Sequence, residues 1–219
     1  MAIVLYAHPF SSYCQKVLIP LYANAIAFEL RLLAPENPQI LAEHRALWPI
    51  GKMPVLVDGG RAVVEASVIV EHLDLHHPGA TRWLPADPRA ALAVRTLDRV
   101  FDQYVMTPMQ KIVGDALRGA AARDAHGVGE ARAGLDTAYR WLDGTLAGRT
   151  WAVNGGPSLA DCAAAPALFY ADWVHPIDPA LANLHAYRRR LLAWPPFARA
   201  VEAARPYRRF FPLGAPDRD

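Results

Sequence analysis

Cysteine and lysine are both scarce in this chain of 219 residues. The two cysteines, Cys14 and Cys162, offer no disulfide framework, no Cys-x-x-Cys pair and no zinc-finger spacing. Lysine occurs three times against twenty arginines, which reads as codon bias rather than chemistry. The net charge is only +2, too small and too dispersed to suggest a nucleic-acid partner. The eight arginines within 188–219, including Arg188, Arg189 and Arg190, read as a solvated helix face. Long apolar runs are missing as well. The stretch from Leu159 to Val174 is interrupted by Asp161, Pro166 and Asp172, and falls short of the roughly 18–20 apolar residues that span a bilayer. The opening MAIVLYAHPF has neither a basic segment nor a small-residue cleavage site. The expectation is a soluble, reduced, cytoplasmic protein with no membrane and no nucleic-acid partner.

What is present is core material. Hydrophobic residues make up 53% and charged residues 20%, which excludes a disordered chain. Forty alanines favour helix. Ala2–Ala7 reads as a buried strand, 12–23 as a helix capped by Ser11-Ser12, and Phe28–Leu33 as a second strand. A short helix follows over 39–47. Pro54–Val57 and Arg61–Val64, split by Asp58-Gly59-Gly60, form a hairpin. Val68, Ile69, His72 and Leu73 mark a helix over 66–76. The order βαβαββα implies a parallel first pair, an antiparallel last pair and a mixed four-stranded sheet. From Asp87-Pro88 onward only helices are expected: 88–118, 124–147, one from Ser158, 180–192 and 196–204. Residues 1–77 and 88–219 therefore read as two units, with 78–87 as linker.

Four spaced motifs carry the chemistry. Ser11-Ser12-Tyr13-Cys14-Gln15-Lys16-Val17 opens the first helix. Gly51-Lys52-Met53-Pro54-Val55-Leu56 precedes the third strand. Glu65-Ala66-Ser67 opens the third helix, and Ser158-x-x-Asp161 is a capping box in the second unit. In this order, with this layout, the chain resembles the glutathione transferase superfamily over essentially its whole length. The resemblance implies a thioredoxin-like α/β N-terminal domain and an all-α C-terminal domain. It also implies glutathione as co-substrate, no metal, a small hydrophobic electrophile and a homodimer formed through helices 66–76 and 88–118.

A free thiol titrates at about 8.5, so its activation at neutral pH needs a group that prefers the thiolate. A hydroxyl at a helix N-terminus supplies a charge-assisted donor and the helix dipole together. Ser11 matches the catalytic serine of theta- and zeta-like members; Ser12 and Tyr6 are the alternatives. Cys14 falls inside the helix and reads as a structural thiol. Met53-Pro54 resembles the family's cis-proline, which turns the Met53 main chain toward the cysteinyl backbone of glutathione. Glu65, Ala66 and Ser67 correspond to the γ-glutamyl site. Ala66 stands where the family commonly has serine, and Ser67 is expected to supply the missing hydroxyl. Lys52 and Gln39 correspond to the glycyl carboxylate site. Phe101, Tyr104, Met106, Met109 and Phe169 are expected to place apolar surface near the thiol, with Phe10, Tyr104, Met109 and Phe169 lining the electrophile pocket. His44, His72 and His76 show no metal-ligand spacing. Two other readings remain: a non-catalytic scaffold, which Ala66 favours, and a zeta-like isomerase.

Overall fold

The computed structural model describes residues 3–153 and 155–219, so the Ala2 start of the first expected strand lies outside them. The N-terminal unit follows the expected order: β1 (Ile3–Ala7), α1 (Ser12–Ala23), β2 (Phe28–Leu32), α2 (Pro38–Leu47), β3 (Val55–Asp58), β4 (Arg61–Val64) and α3 (Ala66–His76). The sheet order is β2-β1-β3-β4. β1 runs parallel to β2, with Leu5 opposite Leu30, and antiparallel to β3, with Leu5 opposite Leu56. The β3–β4 hairpin closes through Gly59 and Gly60, both at positive φ (58° and 80°), the conformation a two-residue hairpin turn requires. The sheet is the thioredoxin-like mixed sheet that the motif order implies.

Alternation along β1 divides the side chains between two layers. Ile3, Leu5 and Ala7 join α1 and α3 in the main core, while Tyr6 joins Leu33 and Val55 beneath Ile40 and Leu47 on the α2 side. The main core continues without a break into the helical unit, where α1 packs on both α7 and α9.

Beyond the connection the described residues are helical: α4 (Pro88–Val100), a π-helical turn (Phe101–Met106), α5 (Thr107–Ala116), α6 (Ala125–Thr145), α7 (Leu159–Val174), α8 (Ala182–Ala193) and α9 (Pro195–Ala204). α4 starts as its sequence demands. The Asp87 carboxylate accepts from the Ala90 N–H at 2.8 Å, and Pro88 follows at the first position. The single helix expected over 88–118 is instead broken by the π turn. Pro108 has no N–H to give the Tyr104 carbonyl four residues back, and its ring crowds that carbonyl, so the turn widens. The helix α7 is buried over all sixteen residues. Its capping box is formed: Asp161 accepts from the Ser158 N–H and Oγ, both at 2.9 Å, and also from the Ala152 N–H and the Tyr187 hydroxyl. Among the described residues no helix is long and apolar enough to cross a membrane.

Candidate active site

A cleft of about 580 Å³ opens between the two units. Its N-terminal wall is built from Ser11 and Tyr13 at the start of α1, Trp48 and the Gly51–Pro54 loop, and Glu65, Ala66 and Ser67 at the start of α3. Three of the four motifs, spread over residues 11–67 of the chain, thus meet at one surface. Its opposite wall comes from the π turn and its flanks: Arg99, Asp102, Gln103, Thr107 and Gln110.

Ser11 is the N-cap of α1, in extended conformation, and its Oγ accepts from the Cys14 N–H at a long 3.5 Å. The cap uses a lone pair of Oγ, and the hydroxyl keeps its own proton as a donor. The alternatives lie elsewhere. Ser12 is buried outside the cleft lining, and Tyr6 sits in the α2-side core with its hydroxyl donating to Glu43 at 3.0 Å. Cys14 is wholly buried, and burial pushes its thiol up to about 11, as a structural thiol requires.

The Met53-Pro54 bond is cis. The loop before it is pinned by His44, a buried imidazole that donates from Nε2 to the Lys52 carbonyl at 3.0 Å. Gly51 has φ 71°, in the left-handed region that favours glycine. Glu65 also has positive φ (68°), an uncommon conformation for a residue with a side chain and one that concentrates at ligand sites. It carries its carboxylate to the cleft, and among the described residues no hydrogen bond or ion pair engages it.

Behind Ser67 lies a charged cluster that the sequence reading missed. Lys16 is fully buried, with Nζ 2.6 Å from Asp98 Oδ1, 2.7 Å from Asp102 Oδ2 and 2.9 Å from Ser67 Oγ. Ser67 Oγ in turn donates to Asp98 Oδ2 at 2.9 Å and accepts from Arg99. The hydroxyl has one proton and two lone pairs, and all are used. Ser67 therefore lines the cleft but cannot lend its hydroxyl to a ligand as expected; only its main-chain N–H remains. Burial pushes the Asp102 carboxyl up, against the pull of Lys16. Tyr13 is pushed up to about 12, chiefly by burial and then by Asp102, and stays a neutral phenol. Lys16 interrupts the apolar run of α1, and Asp98 and Asp102, four apart, interrupt the Val94–Leu97–Phe101–Val105 face. Those are the signals from which the pairing is legible.

None of the four residues expected at the electrophile pocket lines this cleft. Phe10 packs edge-on against Tyr170 (5.5 Å between centroids) in an aromatic cluster with Trp173 and Phe211. Met109 and Phe169 are core residues, 4% and 2% exposed. Tyr104 is 58% exposed and faces away from the cleft, lining a groove with Val100, Ala138 and Trp141. Phe101 and Met106 are likewise buried core. For Phe101, Met106, Met109 and Phe169 burial in the helical unit explains the apolar residue. Gln39 is exposed on α2, outside the cleft lining, whereas Lys52 is in it.

The family model for the glutathione S-transferase N-terminal domain matches residues 5–81, and that for the C-terminal domain matches residues 114–190. The chain belongs to the glutathione transferase superfamily. Among curated relatives, the glutathione S-transferase-like protein LUC7 of a Fusarium species is 28% identical over 164 residues, 74% of each chain. Glutathione S-transferase U10 of Arabidopsis thaliana is 28% identical over 132 residues, 59% of this chain and 54% of that one. Among solved structures, a glutathione S-transferase of Methylobacterium radiotolerans in complex with glutathione sulfonate superposes with a TM-score of 0.79 at 28% identity, covering 92% of this chain and 95% of that one. A glutathione S-transferase of Methylobacillus flagellatus with glutathione bound gives 0.81 at 25% identity, covering 91% and 98%.

Proposed function

We propose that this protein is a glutathione transferase in which the Ser11 hydroxyl holds the glutathione thiolate for attack on a small electrophile. The observation that carries this reading is the convergence of Ser11, Lys52, Met53, Pro54, Glu65, Ala66 and Ser67 on one cleft. The two superposed bacterial enzymes solved with glutathione or its sulfonate support it.

In this reading the γ-glutamyl carboxylate meets the N–H groups of Ala66 and Ser67 at the start of α3, where the helix dipole favours an anion. Glu65 takes the ammonium. The Met53 main chain pairs with the cysteinyl backbone, and Lys52 takes the glycyl carboxylate. Lowering the thiol by about two pH units needs roughly 2.7 kcal/mol of preference for the thiolate. A donated hydroxyl contributes about 1.5–3 kcal/mol and the α1 N-terminus about 0.3–1 kcal/mol, which together suffice. The thiolate then forms a carbon–sulfur bond, and the displaced electron pair leaves with the leaving group or enters the acceptor.

Gln103, Thr107 and Gln110 favour an electrophile with polar substituents over the purely hydrophobic one expected from sequence. Exposed Val68, Leu75 and Leu92 on α3 and α4, two helices tied by the Glu71–Arg95 pair at 2.8 Å, support a homodimer through that face. Retention on immobilised glutathione, followed by turnover with a panel of electrophiles, tests the activity. No retention and no thiol-dependent turnover would overturn it. Sedimentation at twice the chain mass of 24.1 kDa tests the dimer.

A further inference from the structure

We propose that Asp58, His72 and His77 form a divalent-cation site whose donor set suits Zn²⁺. The three come from separate places. Asp58 is the last residue of β3, His72 lies within α3, and His77 caps the end of α3. Both imidazoles aim Nε2 at the same oxygen, Asp58 Oδ2, His72 at 2.9 Å and His77 at 2.7 Å. The three donor atoms lie within 4.8 Å of one another. Side-chain exposures of 18%, 16% and 32% leave the cluster sheltered yet open to an entering ion.

Two imidazole nitrogens and one carboxylate oxygen are the ligand types of three-ligand zinc sites, in which a fourth position is left for water. Zinc–ligand bonds of about 2.0–2.2 Å place tetrahedral donors about 3.3–3.5 Å apart. The present Asp58–His separations are about 0.5 Å shorter, a difference that a small withdrawal of the carboxylate takes up, and the two Nε2 atoms lie within 4.8 Å of each other. Each imidazole now donates an Nε2 proton to the shared oxygen. A bound cation takes the two Nε2 lone pairs instead, and each neutral ring carries its proton on Nδ1. The buried thiols of Cys14 and Cys162 do not compete for the ion. The sequence hides the site because its carboxylate lies 14 and 19 positions from the two histidines, across the β3–β4 hairpin. An ion here would fasten the end of β3 to the end of α3, the end away from Glu65.

The test uses the untagged, full-length protein after chelator treatment, titrated with Zn²⁺ by calorimetry. One ion is expected per chain, with a Kd on the order of 10 μM or tighter, and a melting temperature raised by roughly 5–10 °C at a hundredfold excess over Kd. Co²⁺ should give the visible absorption of a tetrahedral nitrogen–oxygen site. Asp58→Asn and His77→Gln, which keep shape and hydrogen bonding, should each weaken Zn²⁺ binding at least about tenfold. His126→Gln, in the exposed His126–Glu130 pair of α6, should not. Failure of the wild-type protein to take up one Zn²⁺ at that affinity overturns the proposal. So does equal uptake by the Asp58→Asn and His77→Gln variants with unchanged circular dichroism.

Discussion

Lys16 Nζ sits 2.6 Å from Asp98 Oδ1 with both side chains closed to solvent, so a charge of the N-terminal unit is neutralised inside the helical one. Asp102 approaches the same ammonium from the other side at 2.7 Å. Removing the cation leaves two buried carboxylates facing each other, a loss that typically costs about 3–5 kcal/mol. Lys16→Met should lower the free energy of unfolding by that amount in urea titration. Pairing it with Asp98→Asn should recover part of the loss, because the orphaned charge is gone. A cost under about 1 kcal/mol for Lys16→Met would mean that the cluster does not hold the two units together.

Ser11 and Ser12 are neighbours with different surroundings, one at the cleft and one in the core. Ser11→Ala should cut thiol-dependent turnover roughly 10–1000-fold, the range for losing one preorganised donor. Glutathione affinity should move much less. The long 3.5 Å cap contact also implies a stability cost below about 1 kcal/mol. Ser12→Ala should leave turnover near the wild-type value. Full activity in the Ser11→Ala enzyme would transfer the role elsewhere.

Glu65 and Glu71 share a helix but not a task. Glu71 is bound to Arg95 on the outer face at 2.8–2.9 Å, whereas Glu65 lines the cleft. With Asp102 already neutralised by Lys16 and Arg99, Glu65 is the carboxylate left for an ammonium. Glu65→Ala should weaken glutathione binding by about 5–150-fold, or about 1–3 kcal/mol. Glu71→Ala should do little. Ala66→Ser should leave affinity equal or better. Equal losses for the two glutamate variants in calorimetry would place the γ-glutamyl end elsewhere.

Cys14 is held protonated by burial, up to about 11 against about 9 for an ordinary thiol. The folded pKa is the higher one, so the unfolded chain loses its proton first. Stability from this group is intact below about pH 9 and is lost as pH rises toward 11, by up to roughly 3 kcal/mol. Unfolding titrations across pH 8–11 should show this slope, and Cys14→Ala should reduce it, leaving the share of Cys162, whose thiol burial also pushes up. Native protein at pH 8 should resist a thiol reagent that modifies the urea-unfolded chain at both cysteines. Rapid labelling of the folded protein would contradict the burial.

The order of elements along the chain, the hairpin and the starts of α1, α4 and α7 were legible because each is fixed locally, by alternation, by paired glycines or by a capping side chain. The family-like spacing of Ser11, Lys52, Met53-Pro54 and Glu65–Ser67 likewise led to one cleft. The wall across from them was not legible. An apolar residue in a helical unit is as well explained by the core as by a pocket, and Phe10, Met109 and Phe169 went to the core. The cleft received Arg99, Asp102, Gln103, Thr107 and Gln110, whose polarity reads in sequence as ordinary solvent exposure. Ser67 was misjudged for a related reason. A hydroxyl looks available until the partners that saturate it, here Lys16, Asp98 and Arg99, are brought alongside by the chain's return.

The widened turn ahead of Pro108 gives this wall an unusual kind of adjustability. Asp98, Asp102, Thr107 and Gln110 advance by four, five and three positions, and the step of five coincides with the π turn at Phe101–Met106. The extra residue keeps the row aligned, since each position in a helix otherwise turns the face by about 100°. Deleting one residue from 103–106 would rotate α5 by that angle and carry Thr107 and Gln110 off the cleft together. A single codon gained or lost at this point would therefore exchange the helical wall of the cleft while leaving the wall built by Ser11, Lys52 and Glu65 untouched.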